Sequence, residues 1–90
     1  MGREELSNRF SQARLDEIEE EAQRRIACFG RSLMKLRERE GLTQAQLAEV
    51  LRVSQTFIHM LEVGRRLPSV NLCLRLALIF EVSMDELFEC

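Results

Sequence analysis

Apolar residues recur along this chain at spacings of three and four. The interruptions fall at glycine, proline and helix-capping residues, so the pattern predicts helices and no strands. The first run, Leu15, Ile18, Ala22, Ile26 and Phe29, sits among many Glu and Arg residues. It predicts one amphipathic helix from Glu4 to Cys28, stopped by Gly30. Within it the acidic run Asp16 to Glu21 precedes Arg24 and Arg25, an order that suits the helix dipole and reads as a solvated face.

A second helical pattern, Arg31 to Glu40, carries Leu33, Met34 and Leu36 and ends at Gly41, a residue suited to a left-handed cap. Thr43-Gln44-Ala45-Gln46 has capping-box form and opens a short helix with Leu47, Ala48 and Leu51 as its buried stripe. After Arg52 and Val53, Ser54 caps another helix from Gln55 to Gly64. Arg65-Arg66-Leu67-Pro68 is a basic loop, and Ser69 caps a helix over Val70 to Phe80. Ser83-Met84-Asp85-Glu86 is a second capping box, before Leu87 and Phe88. The expected architecture is all-α with about six helices.

The chain has 90 residues, room for one small domain and too little for a multidomain enzyme. Three cysteines, Cys28, Cys73 and Cys90, are odd in number and far apart, so they are expected to be reduced thiols. With the lone His59 they supply no close-spaced ligand pair, and no metal or cofactor is expected. No run approaches the roughly 20 apolar residues of a membrane span, and the N-terminus lacks a signal peptide's apolar segment, so a cytoplasmic protein is expected. There is no Ser/His/Asp grouping with a recognisable motif and no phosphate-cradling glycine loop, which argues against an enzyme.

A net charge of −2 argues against nucleic acid until the chain is divided. Residues 30–80 carry eight basic and four acidic side chains; residues 1–29 carry five and seven, and residues 81–90 carry four acids and no base. The middle is therefore basic inside an acidic chain, with positive charge available for one face.

Two short helices meeting across a tight turn, Thr43 to Gly64, form an arrangement that lets one helix enter a major groove while the other braces on the backbone. The run Leu36-Arg37, Gly41-Leu42-Thr43-Gln44, Leu47-Ala48, Val53-Ser54, Ile58, Leu61-Glu62, Gly64 and Pro68-Ser69 resembles the Cro and phage-repressor type of helix-turn-helix domain, also called the xenobiotic-response-element type. The likeness continues through Leu76-Ala77, Val82-Ser83 and Asp85-Glu86-Leu87. It implies a lambda-repressor-like domain of about five helices over residues 29–90. Residues 1–28 would be an additional amphipathic helix that packs on its own domain, extends a dimer or receives a partner.

The resemblance maps base reading onto Gln55, Thr56 and Met60, with Phe57 and His59 nearby. Gln can offer a donor and an acceptor to adenine, and the Thr methyl or the Phe ring can pack on the thymine methyl; Met60 offers apolar contact only. Ile58 and Leu61 fall on the inward face. His59 is expected to be exposed, in contact with DNA or simply solvated. Phosphate contacts are expected from Gln44 and the free N–H groups beside it, from Ser54 unless capping occupies its hydroxyl, and from Arg65, Arg66 and Arg52. Arg37 and Glu62 occupy positions where the resemblance implies a structural ion pair.

The family pattern commonly has Gly where this chain has Arg52, so Arg52 is expected to be left-handed at some cost. The helix over Val70 to Phe80 is apolar nearly all round. Val70, Cys73, Leu76, Ala77 and Phe80 form one face, and Leu72, Leu74, Leu78 and Ile79 add another. Leu74 and Leu78 are the candidate dimer interface. The leading expectation is a dimeric, sequence-specific regulator, a repressor or controller protein on a palindromic duplex operator. The alternative is an antitoxin-type module whose N-terminal helix engages a protein partner.

Overall fold

The computed structural model describes residues 9–90, in the order α1 (Gln12–Arg39), α2 (Gln44–Leu51), α3 (Gln55–Glu62), α4 (Val70–Phe80) and a final 3-10 turn (Asp85–Phe88). The class is all-α; among the described residues there are four α-helices and one 3-10 turn instead of about six helices. Residues 4–8 of the first predicted helix lie outside the described residues, and Phe10 and the extended Ser11 are not helical, so the expected continuity from Glu4 is broken before Gln12.

The largest correction is at Gly30. The two predicted helices on either side of it are one continuous helix, 28 residues long, which starts at the Ser11 cap. Gly30 is there for close approach. A β-carbon on it would stand 2.6 Å from the Leu61 carbonyl oxygen and nearer still to that of Glu62, so the C-terminal end of α3 packs directly on the α1 backbone. Only the part of α1 from Cys28 onward is buried, through Cys28, Phe29, Gly30, Ser32 and Leu33. Leu15 and Ile18, on the apolar face of the first predicted helix, are exposed.

The local caps form as the sequence chemistry dictates. Thr43 Oγ1 accepts from Gln46 N at 3.1 Å while Gln46 Oε1 accepts from Thr43 N at 2.8 Å. Ser54 and Ser69 accept from Phe57 N and Leu72 N. Ser83 and Glu86 exchange the same reciprocal pair, although the element they open is a 3-10 turn. Gly41 and Gly64 take positive φ at the ends of α1 and α3, and so do Arg52 (φ 59°) and Glu81 (φ 56°) at the ends of α2 and α4. Each of those two non-glycine ends is tied by an arginine from elsewhere: Arg75 donates to the Leu51 carbonyl at 2.6 Å, and Arg39 to that of Phe80 at 3.1 Å.

Phe29, Leu33, Leu47, Leu51, Ile58, Leu61, Leu76 and Leu87 are the fully buried large side chains and come from every element. On α4, Cys73, Leu76, Ala77 and Phe80 face this core. Two α4 assignments change. Val70 is 72% exposed in the first turn after the Ser69 cap, and Leu72, one turn before Leu76, is buried with it. Leu74, Leu78 and Ile79 remain exposed.

The expectation of three free thiols is also corrected. Cys28 and Cys90 form a disulfide, with Cα atoms 5.1 Å apart across a separation of 62 residues. The fold makes this pairing by laying the 3-10 turn along α1, where the Phe29 and Phe88 rings meet at 5.4 Å. Cys73 stays free and buried, and burial pushes its thiol above the usual range. Among the described residues no helix is long and apolar enough to cross a membrane, and no group of side chains is placed to hold a metal ion.

Candidate nucleic-acid interface

The N-terminal halves of α2 and α3 converge on one open face. Gln44 at the start of α2 and Gln55, Thr56 and His59 on α3 line a single shallow recess. Gln55, Thr56 and His59 are exposed, while Ile58 and Leu61 point into the core. The helix period thus separates the face that holds α3 in place from the face left free to touch a ligand.

The orientation of α3 is set by a buried ion pair. Arg37 Nε donates to Glu62 Oε2 at 2.7 Å and its Nη2 donates to Oε1 at 3.1 Å, a bidentate geometry. The Glu62 side chain is fully buried and that of Arg37 is 12% exposed. The hydrogen bond to Glu62 raises the guanidinium's pKa above its ordinary value, outweighing the opposing effect of burial. Arg37 Nη1 also donates to the Leu42 carbonyl at 2.7 Å, so one side chain joins α1, the loop before α2 and the end of α3.

Gln44 belongs to this network. Its Nε2 donates to Glu62 Oε1 at 3.0 Å and stands 3.4 Å from His59 Nδ1. Its side-chain amide is therefore engaged by Glu62 and His59, and what Gln44 leaves for a phosphate is its backbone N–H in the first turn of α2. The Ser54 hydroxyl is occupied as the α3 cap. What remains at both helix starts is the first-turn backbone N–H groups that neither a carbonyl nor the Thr43 and Ser54 caps reach.

Phe57 and Met60 are half-buried, and Phe57 packs against the core. The Arg66 guanidinium stands 5.8 Å from the Phe57 ring centroid. Arg65 N and Arg66 N both donate to the Met60 carbonyl, which folds the basic loop back over the end of α3 and leaves both arginines exposed. Arg52 is exposed in the turn between α2 and α3. Leu74 and Leu78 lie on the exposed side of α4, 49% and 78% accessible.

Three structural roles were not read from the sequence. Gly30 provides the α1–α3 contact, and Arg39 and Arg75 tie helix ends. Arg75 did carry a signal, as the one charged residue in an apolar helix, and the apolar period running unbroken from Ile26 through Phe29 to Leu33 pointed past Gly30.

Two short helices joined by a tight turn, braced on a long first helix and closed by a fourth, define a helix-turn-helix domain of the Cro and phage-repressor type. The helix-turn-helix family model matches residues 33–87, more than half of the chain, and the chain belongs to that family. A curated relative, the HTH-type transcriptional activator BcrR of Enterococcus faecalis, is 41% identical over 59 residues. That match covers 66% of this chain and 29% of the relative, so the chain spans less than a third of the relative's length. No solved structure matches the chain.

Proposed function

We propose that residues 29–90 are the DNA-binding module of a transcription regulator that reads duplex DNA through α3. The observation that carries this reading is the recess in which Gln55, Thr56 and His59 stand exposed beside the start of α2, on a helix fixed by the Arg37–Glu62 pair. In a major groove, Gln55 and Thr56 meet base edges first, His59 follows one turn later, and Phe57 and Met60 supply apolar contact from their exposed edges. The first-turn N–H groups of α2 and α3, with Gln44, Arg52, Arg65 and Arg66, take the flanking phosphates. The family match and the printed name of the E. faecalis relative support the reading.

The dimer is part of the same proposal. Leu74 and Leu78 of two copies meet across a two-fold axis, and the two α3 helices then enter successive major grooves roughly 34–36 Å apart on a palindrome. Operator occupancy of this kind serves repressors, controller proteins and activators alike. A second reading, an antitoxin-type module that also engages a protein through the segment 1–28 of the sequence division, draws on the exposed residues 12–25 at the start of α1.

The test is selection of duplexes from a random pool with the full chain at moderate salt. Enrichment of a two-fold symmetric sequence, with affinity falling steeply as salt rises, supports the proposal. Failure to enrich any sequence ends it.

A further inference from the structure

The buried ion pair dictates more than the orientation of α3. Arg37 engages both oxygens of the Glu62 carboxylate, whose side chain is fully buried, so Glu62 is ionised and its oxygens can only accept. The Gln44 atom that stands 3.0 Å from Glu62 Oε1 must therefore be the amide nitrogen and not the carbonyl oxygen. This settles which way the Gln44 amide faces. The same nitrogen has a second N–H to offer, and it stands 3.4 Å from His59 Nδ1.

A group that can only donate needs an acceptor opposite it. His59 Nδ1 thus meets Gln44 with its lone pair, and in the neutral ring the proton is on Nε2. The other tautomer would set N–H against N–H. At 3.4 Å the bond is long, so it biases the ring and does not clamp it. The two ring nitrogens flank one carbon and point apart, which directs the Nε2–H away from Gln44. Among the described residues Nε2 has no hydrogen-bond partner, and the ring is exposed on the recess it shares with Gln55 and Thr56.

The three exposed side chains of that recess differ in what they offer a base. The Gln55 amide and the Thr56 hydroxyl can each donate and accept, whereas His59, with Nδ1 engaged, can only donate. In a major groove guanine presents two acceptors, N7 and O6, while cytosine presents its N4 amino group and adenine its N6 amino group beside N7. With the proton on Nδ1 instead, the ring would present an acceptor and favour those amino groups.

We propose that the relay from Arg37 through Glu62 and Gln44 makes His59 a donor-only reader, whose Nε2–H selects guanine. Gln44 is then a positioning residue for base recognition as well as a contributor at the start of α2. This rests on α3 as the base-reading helix proposed above.

Two measurements test it. Long-range proton–nitrogen correlation on the DNA-free full chain, in mildly alkaline buffer, reads the tautomer; the chain has one histidine, so the ring signals are unambiguous. The Nε2–H form is expected to predominate, and the Nδ1–H fraction to rise about threefold in Gln44→Ala. A predominant Nδ1–H form, or the same ratio in both chains, overturns the proposal and leaves DNA reading intact. Random-pool selection is then run with the unsubstituted chain, His59→Ala and Gln44→Ala, each verified as folded by circular dichroism. His59→Ala is expected to relax one G·C pair in each half-site, from about fivefold discrimination to within about twofold, and Gln44→Ala to weaken preference at that same pair. A lost phosphate contact would instead lower affinity evenly across sequences. Relaxation at an A·T pair, or at none, overturns the proposal, and so does a Gln44→Ala preference equal to that of the unsubstituted chain. If no duplex is enriched by the unsubstituted chain, the reading through α3 fails and this inference with it.

Discussion

Gly30→Ala is the substitution on which the sequence pattern and the structure disagree most sharply. In an unobstructed helix interior, alanine in place of glycine is stabilising by about 0.8–1.0 kcal/mol. Here the added carbon would meet backbone atoms: the Leu61 carbonyl oxygen at 2.6 Å, the Glu62 carbonyl carbon at 2.9 Å and the Glu62 oxygen closer still. None of these can swing aside as a side-chain tip would, so α3 must move away from α1 by several tenths of an ångström or more. Overpacking of this sort typically costs about 1–3 kcal/mol, which exceeds the propensity gain. The displaced segment also holds Glu62, so the short bonds from Arg37 and Gln44 lengthen with it. The net expectation is a loss of about 1–2 kcal/mol. At about 4–8 °C per kcal/mol for a domain of this size, the melting temperature should fall by roughly 4–16 °C. Thermal unfolding followed by circular dichroism measures it. A melting temperature that stays put or rises would show that the α1–α3 contact is looser than described, and the account of Gly30 would be wrong.

Three further outcomes follow from the same geometry. Glu62→Ala leaves Arg37 buried without its partner and should cost about 3–5 kcal/mol in urea unfolding, with sequence preference largely kept; an unchanged midpoint would remove the structural role assigned to the pair. Arg52→Gly relieves a left-handed residue that is exposed, and should stabilise by about 1 kcal/mol; a lower midpoint would mean that the arginine side chain contributes more than its backbone costs. Reducing the Cys28–Cys90 bond, or replacing both residues with Ser, should lower stability by about 2–4 kcal/mol through the long loop it closes, and an intact mass that does not rise on reduction would show that the bond had not formed.

Most of the architecture could be read from the chain because short-range chemistry fixes it. Thr43 with Gln46, Ser54, Ser69, and Ser83 with Glu86 all occupy the capping positions their residue types favour, and the left-handed Arg52 follows from the turn that must fit between α2 and α3. What could not be read depends on contacts between distant residues. Gly30 looks like a helix stop until α3 is placed against it, and the pairing of Cys28 with Cys90 has no signature in spacing. Glu81 adopts the left-handed conformation with nothing local to announce it, held by Arg39 from α1 reaching the Phe80 carbonyl. At the candidate interface, the inward and outward faces of α3 follow from helical period, whereas the capture of Gln44 by Glu62 needs the folded geometry.

The central claim is that α3 reads bases through its exposed N-terminal half. The most direct measurement repeats the random-pool selection with Gln55→Ala beside the unsubstituted chain and compares base preference position by position. The account predicts that preference relaxes at one position in each half-site while the other positions keep theirs. A recovered sequence indistinguishable from that of the unsubstituted chain, or a relaxation spread evenly over all positions, would contradict it.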